Sequence, residues 1–147
     1  MIRTEAEYKE AVRRRDSEKK QLEEYRLQLQ GQGVSAEMVE KAMQPYESFR
    51  LQLVEEIEGY ERIKRGVIND IYNLGGIGQR LIGIRIYLGL SQRELAQKLG
   101  VHESQVSRDE KNEYHGITVE RVEEILNALG VSMTSSFEVP ARKAAAG

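Results

Sequence analysis

The sequence predicts an all-α protein made of two helical parts, followed by one short strand near the C-terminal end. Charged residues make up 31% of the 147 residues, aromatic residues only 6%, and there are two prolines, which suits a helical protein. Serine or threonine followed three residues later by glutamate marks capped helix starts at Thr4–Glu7 and Ser91–Glu94. Apolar residues recur at three- and four-residue steps in several separate stretches before residue 130, after which they alternate.

Composition excludes several classes of protein. The chain has no cysteine, so it has no disulfide framework and no cysteine-based metal site. We expect neither a membrane span nor a signal peptide, since no run of 18 apolar residues occurs and the first ten residues are charged. A nucleophile motif, a glycine-rich phosphate loop and paired catalytic carboxylates are all missing from the sequence. We therefore expect a cytoplasmic protein that is not an enzyme and needs no cofactor or metal.

The first predicted helix opens at Thr4, where Glu7 completes a capping box, and runs to about Gln30. Its apolar positions form two patches, separated by the segment RRRDSEKK at residues 13–20. That segment is most simply a solvated helix face. A basic strip that contacts nucleic acid is the alternative, which the two acidic residues inside the segment weaken.

The second predicted helix begins after Ser35. Pro45 lies inside it and either kinks the helix or splits it, with Gln44 capping the second piece. Basic residues and Gly66 mark its end. The two helices predict an antiparallel hairpin over residues 1–66, which buries little apolar surface alone; we therefore favour a coiled-coil arm that dimerises or holds a partner over packing within one chain. The apolar stripe of the second helix consists of Val39, Ala42, Tyr46, Phe49, Leu53, Ile57 and Tyr60.

Residues 67–75 predict an extended linker, and residues 76–130 a second helical domain. The linker's apolar side chains would rest on neighbouring surfaces; they are Val67, Ile68, Ile71 and Leu74. The segment IGQRLIGIRIYLG then forms the first helix of the domain. Gly78 and Gly83 weaken this helix by up to ~1 kcal/mol each relative to alanine, and they let another helix approach closely.

The segment LSQRELAQKLGVHESQVSRDE at 90–110 contains two helix starts and a tight turn. Ser91 and Glu94 cap the first of these helices, and Gly100 suits its left-handed C-terminal stop. A second helix begins almost at once with His102 as its cap, a role we prefer to that of a metal ligand or base. With a break of only about four residues, the two helices must cross steeply. That is the geometry of a helix-turn-helix, whose second helix enters the DNA major groove.

The string GLSQRELAQKLGVHESQVSRDE resembles the Xre-type (Cro/cI-like) helix-turn-helix domain of bacterial and phage regulators, over roughly residues 76–130. Asp109 departs from the family, in which many members carry an apolar residue at this position. The resemblance implies base contacts from Glu103, Ser104 and Arg108 and a phosphate contact from Gln92. It also implies a buried structural ion pair between Arg85 and Glu110. Breaking one partner of such a pair would destabilise the fold by about 3–5 kcal/mol.

The exposed face of the helix at 103–111 extends this set of candidates. Base readers must project from that face, which gives Glu103, Ser104, Gln105, Ser107 and Arg108. For Arg108, an ion pair with Asp109 or Glu110 is the alternative to a bidentate contact with guanine. The candidate phosphate contacts are Ser91, Gln92, Lys111, Asn112 and Tyr114.

The end of the chain predicts a partner-dependent strand. After a last helix that ends at Gly130, residues 131–140 alternate apolar and polar side chains. A single strand leaves its backbone groups unpaired, so we expect it to pair with its copy in a second subunit. The dimerisation residues would be Val131, Met133, Phe137 and Val139. Residues 141–147 form a predicted disordered tail.

Charge argues against nucleic-acid binding by bulk attraction. Residues 1–70 hold 13 Lys/Arg and 15 Asp/Glu, residues 71–139 hold 7 and 9, and the net charge of the whole chain is −2. Any DNA binding must therefore depend on a few placed contacts and on helix N-termini.

The sequence thus predicts a dimeric DNA-binding regulator, a repressor by preference, that recognises a near-palindromic operator in double-stranded DNA. Two alternatives remain open. The first is a HigA-like antitoxin, in which residues 1–65 hold a toxin protein while the chain represses its own promoter. The second is a structural coiled-coil adaptor whose helix-turn-helix is vestigial.

Overall fold

Helices make up most of the molecule. The computed structural model describes residues 1–70 and 73–140, and in those residues it contains helices but no strand. The helices are α1 (Glu5–Gly31), α2 (Ala36–Lys64), α3 (Ile77–Tyr87), α4 (Gln92–Leu99), α5 (Glu103–Lys111) and α6 (Val119–Leu129). Residues 141–147, the predicted disordered tail, lie outside the described part of the chain.

Helices α1 and α2 form the N-terminal hairpin. Thr4 and Glu7 make the predicted capping box of α1, and the hydroxyl of Ser35 accepts from the backbone of Met38 at the start of α2. Helix α2 continues through Pro45, so it does not split there and Gln44 caps no second piece. The two helices pack closely enough for the Tyr8 and Tyr60 rings to stack with their centroids 5.1 Å apart.

One hydrophobic core joins the base of the hairpin to helices α3 to α6. From the N-terminal part, Ile2, Ile57 and Tyr60 are buried in it. The second domain contributes Leu81, Ile82, Ile86, Leu95, Ala96, Val106, Tyr114, Val122, Ile125, Leu126 and Leu129. The hairpin is therefore attached to the second domain by apolar packing as well as by the intervening linker.

The linker and the C-terminal segment differ from the sequence predictions. Val67 and Leu74 are more than half exposed, so these two linker side chains do not rest on a neighbouring surface, while Ile68 is half-buried. Ile71 lies outside the described residues. Residues 131–140 form no strand, and the described chain supplies no strand to pair with them. A lone segment cannot satisfy its backbone groups by ladder hydrogen bonds, which is the physical reason for this difference.

Candidate nucleic-acid interface

Helices α4 and α5 are fixed by their ends. The Ser91 hydroxyl accepts from the Glu94 N–H at 3.1 Å, and Glu94 Oε2 accepts in return from the Ser91 N–H at 2.8 Å. Gly100 closes α4 with a φ of +67°, a left-handed conformation that glycine adopts without strain. His102 then caps α5, because its Nδ1 accepts from the Ser104 N–H at 3.2 Å. Short loops and strong caps thus fix where α5 begins.

Helix α5 turns one face to the core and the other to solvent. Val106 and Glu110, four residues apart, are 1% and 0% exposed and anchor the inner face. On the outer face, the five candidate base readers share access to solvent: Glu103, Ser104, Gln105 and Arg108 are exposed, and Ser107 is half-buried. The structure therefore brings all five candidates onto the accessible side of one short helix.

The guanidinium of Arg108 has no carboxylate partner among the described residues. Its Nε donates only to the backbone carbonyl of Ser104, at 3.3 Å. The alternative ion pair with Glu110 does not form, because Glu110 is occupied by another arginine, and no bond joins Arg108 to Asp109. The side chain is therefore available to an external acceptor such as guanine O6 and N7.

Arg85 and Glu110 form a buried, bidentate ion pair that joins α3 to α5. Arg85 Nε donates to Glu110 Oε1 at 2.5 Å, and its Nη2 donates to Oε2 at 2.6 Å. The guanidinium also donates to the carbonyl of Leu90 at 2.7 Å and to that of Arg3 at 3.0 Å. Because both charges are fully desolvated and their remaining bonds are satisfied, this pair holds α5 in a fixed orientation on α3.

The first turn of α4 contains two candidate phosphate contacts. Gln92 is half-buried, and its Nε2 donates to Glu110 Oε2 at 2.8 Å, so part of its amide serves the ion pair. Ser91 is exposed, but its hydroxyl is engaged by Glu94. The pKa of the Glu94 carboxyl is lowered because the Ser91 backbone N–H and hydroxyl donate to it. The free backbone N–H groups of this turn form the N-terminus of α4, which attracts anions.

Beyond α5, the remaining phosphate candidates separate into two groups. Lys111 and Asn112 are exposed at its C-terminal end. Tyr114 is buried, with 6% of its surface exposed, and burial raises the pKa of its phenol. The expectation that Tyr114 contacts phosphate is therefore corrected: the loop turns its ring into the core, where its hydroxyl has no hydrogen-bond partner among the described residues.

Two further groups belong to this region although sequence reasoning passed over them. Arg93 is exposed in the first turn of α4 and forms no ion pair with any described residue. A cation at a helix N-terminus is unfavourable because it opposes the macrodipole. Such a departure from local stability is typical of functional sites, and it is the sequence signal that could have identified Arg93. The other is the backbone carbonyl of Arg3, which no side-chain pattern could reveal.

Comparison with known proteins agrees with this geometry. A helix-turn-helix family model matches residues 84–135, which run from the second half of α3 through α6. This stretch is a helix-turn-helix domain of the Xre type, and the chain that carries it is a DNA-binding regulator. No curated protein and no solved structure matches the chain.

No helix in residues 1–70 and 73–140 is both long and apolar enough to cross a membrane. Over the same ranges, no three histidine, aspartate or glutamate side chains are grouped so that they could hold a metal ion.

Proposed function

We propose that the protein is a sequence-specific repressor that reads the DNA major groove through residues 103–111. The observation that carries this proposal is the outer face of α5, where Arg108 forms no ion pair with a carboxylate of residues 1–70 or 73–140 while Val106 and Glu110 anchor the helix in the core. A rigidly held helix with an unpaired guanidinium suits bidentate recognition of guanine, which is worth roughly 1–3 kcal/mol of base discrimination.

The proposed repressor acts as a dimer on a near-palindromic operator. A two-fold arrangement would present two recognition helices roughly 34 Å apart, in successive major grooves. The C-terminal segment 131–140 supports this assembly because its apolar side chains are uncovered in the single chain. Phe137 is 91% exposed, Val139 81% and Met133 43%, while Val131 is half-buried. Pairing with a second copy would cover these side chains and satisfy the backbone.

Phosphate contacts would orient the domain on the duplex. Ser91, Gln92, Lys111 and Asn112 are the proposed contacts, and the exposed Arg93 joins them. Because the net charge of the chain is −2, affinity depends on these placed groups and on the N-terminus of α4 rather than on a broad basic surface.

The test is a binding titration of the full chain against its own upstream DNA, at two salt concentrations. Arg108→Ala should weaken specific binding by about 5- to 150-fold and leave binding to unrelated DNA nearly unchanged. Arg62→Ala is the matched control, since it removes the same charge from an exposed position on α2 and should change neither affinity. Equal affinities of the wild type and the Arg108→Ala variant would refute base reading by α5.

Repression is tested separately with a reporter placed behind the same upstream DNA. Expression should fall when the wild-type chain is supplied and return when Arg108→Ala is supplied instead. A rise in expression with the wild type would identify an activator.

An antitoxin role is the second candidate function. Two observations favour it: the chain has no strong excess of basic residues, and the hairpin exposes aromatic side chains. Both suit a protein whose main partner is another protein. Co-expression with the product of an adjacent reading frame would test it. This role would be supported if the two proteins copurify only when residues 1–65 are present and the chain relieves the toxicity of that product. Undiminished toxicity in the presence of the chain would exclude it.

A further inference from the structure

The middle of the hairpin has no core of its own. Helix α1 has no buried residue along its 27 residues. The buried residues of α2 lie only towards its two ends, at Val39 and Met43 and again at Ile57 and Tyr60. The apolar stripe of α2 nevertheless continues between them, through Tyr46 and Phe49, which are 51% and 69% exposed. Apolar spacing that is kept across an uncovered stretch indicates a surface that another element covers.

A groove occupies this uncovered stretch, between α1 and α2. It has a volume of about 370 Å³, and Leu22, Tyr25, Tyr46 and Phe49 form its apolar lining. The Tyr25 and Tyr46 rings meet edge to face across it, with centroids 6.0 Å apart. Two aromatic rings held against each other give the groove a preformed floor, which favours docking of an apolar side chain.

The polar edge of the groove carries both signs of charge. Arg14 and Glu18 line it one helical turn apart, and Arg14 Nε lies 2.6 Å from Glu18 Oε1. A two-fold axis through such an edge brings the cation of each copy towards the anion of the other. An isologous interface requires a patch that is complementary to itself, and this edge has that property.

The size of the apolar patch fits a modest dimer interface. Tyr25, Tyr46 and Phe49 are 38%, 51% and 69% exposed, and at about 200 Å² for each aromatic side chain they present roughly 300 Å². Interfaces are about 57% apolar, so such a patch corresponds to roughly 500 Å² from each copy and about 1,000 Å² in total. That is the lower limit of specific protein interfaces.

We propose that a second copy of this chain covers the groove, so that two hairpins pack as a four-helix arrangement around a two-fold axis. Phe49 of each copy enters the groove of the other, and Arg14 of each copy faces Glu18 of the other. This interface is separate from the C-terminal segment and does not depend on DNA. A chain with both interfaces can associate beyond a dimer, with the hairpins joining pairs of DNA-binding units.

Sedimentation without DNA tests the interface in a full chain whose C-terminal contact is removed by Phe137→Asp. At roughly 100 μM this chain should still sediment as a dimer, because an interface near the lower size limit is weak and associates only at high concentration. Adding Phe49→Asp should weaken association by about 30-fold or more, as for loss of a central aromatic anchor. Leu51→Asp is the matched control, because Leu51 is 60% exposed on the same helix and does not line the groove.

A charge exchange adds a second, independent criterion. In the same background, Arg14→Glu should weaken association, and Arg14→Glu combined with Glu18→Arg should restore it. Circular dichroism of each variant checks that the hairpin remains helical. The proposal is overturned if the Phe137→Asp chain is a monomer, or if Phe49→Asp and Leu51→Asp have equal effects. Either result would mean that a second copy of the chain does not cover the groove, and a different protein would become the candidate occupant. Neither result would affect the DNA titration, so this proposal and the proposed function can fail separately.

Discussion

Gly78 and Gly83 lie five residues apart in α3, both buried, yet they should respond oppositely to replacement by alanine. A Cβ built on Gly78 would lie 1.9 Å from the carbonyl oxygen of Glu113 and 3.0 Å from Cβ of Tyr114. A Cβ built on Gly83 would meet only Cγ2 of Ile63, at 3.7 Å. The first contact is impossible without movement of the backbone after α5, whereas the second is ordinary van der Waals packing.

The magnitudes follow from these distances. Alanine gains about 1 kcal/mol over glycine at position 83, in the helix interior, and at most about that much at position 78, the second residue of α3. At Gly83 the added methyl is also buried, which contributes up to ~0.8 kcal/mol, so Gly83→Ala should stabilise the protein by about 1–2 kcal/mol. At Gly78 the helix gain is opposed by overpacking, which costs typically ~1–3 kcal/mol and falls here at or above the top of that range because the obstacle is backbone.

The loop opposite Gly78 cannot yield easily. Glu113 and Tyr114 both have positive φ values, +51° and +54°, and the ring of Tyr114 is held in the core. Moving this loop by more than an ångström would disturb two conformations that are already strained. We therefore expect Gly78→Ala to lower the free energy of unfolding by about 2 kcal/mol net, and the Tm by roughly 4–8 °C.

Urea unfolding followed by far-ultraviolet circular dichroism measures both effects on one scale. The wild type should lie between the two variants, with Gly83→Ala above it and Gly78→Ala below. If both variants prove equally stable, or if Gly78→Ala is the more stable, then the close approach of α3 to the loop after α5 is wrong.

Three other perturbations test the ion pair and the titrating groups. Arg85→Leu should cost about 3–5 kcal/mol in urea unfolding because it strands the buried Glu110, and Arg85→Leu with Glu110→Leu should recover much of that loss; a further loss in the double variant would contradict this. The pKa of the Glu94 carboxyl is lowered, so its contribution to folding is present above about pH 4.5 and is lost as the pH falls through the lower folded value. Glu94→Gln should therefore reduce the loss of stability on acidification. An unchanged loss would count against the capping box. Burial raises the pKa of Tyr60 to about 12, so its contribution to the free energy of unfolding is intact below about pH 10 and is lost as the pH rises towards 12. Tyr60→Phe should reduce that loss of stability at alkaline pH. Urea unfolding midpoints measured between pH 9 and 12 would show the difference.

The helices around the recognition site could be predicted because their signals are local. The Ser91–Glu94 capping box, the left-handed Gly100 and the His102 cap each depend on residues within one turn of each other. Short-range hydrogen bonds of this kind are written directly in residue spacing. The inward direction of Val106 follows from helical periodicity in the same way.

Apart from the Arg85–Glu110 pair, which the family resemblance implied, contacts between distant parts of the chain could not be predicted. Arg85 and Arg3 are 82 residues apart, and the acceptor is a backbone carbonyl that any residue would supply. Ile2 gives no periodic signal, because it precedes the first helix, yet it is 5% exposed in the shared core. Tyr114 lies in a polar loop, and its burial depends on a left-handed backbone that tyrosine rarely adopts.

The C-terminal segment shows a different limit. Alternation in residues 131–140 specifies which side chains share a face, but it does not specify what the face meets. In the single chain the segment remains outside any sheet, with Phe137 and Val139 almost fully exposed. Sequence pattern thus predicts the need for a partner, and only an assembly can supply the partner itself.

The shared core connects the hairpin to the orientation of the recognition helix. Arg85 holds α5 through two charged hydrogen bonds to Glu110 and holds the N-terminal segment through the carbonyl of Arg3. Ile57 and Tyr60 of α2 enter the same core. Because the base of the hairpin is packed rather than tethered, hairpins joined at their grooves would fix the distance between recognition helices. The spacing between two operators bound by one such assembly would then be set by hairpin packing. Phe49→Asp should relax that spacing preference without changing the base preference at each half-site.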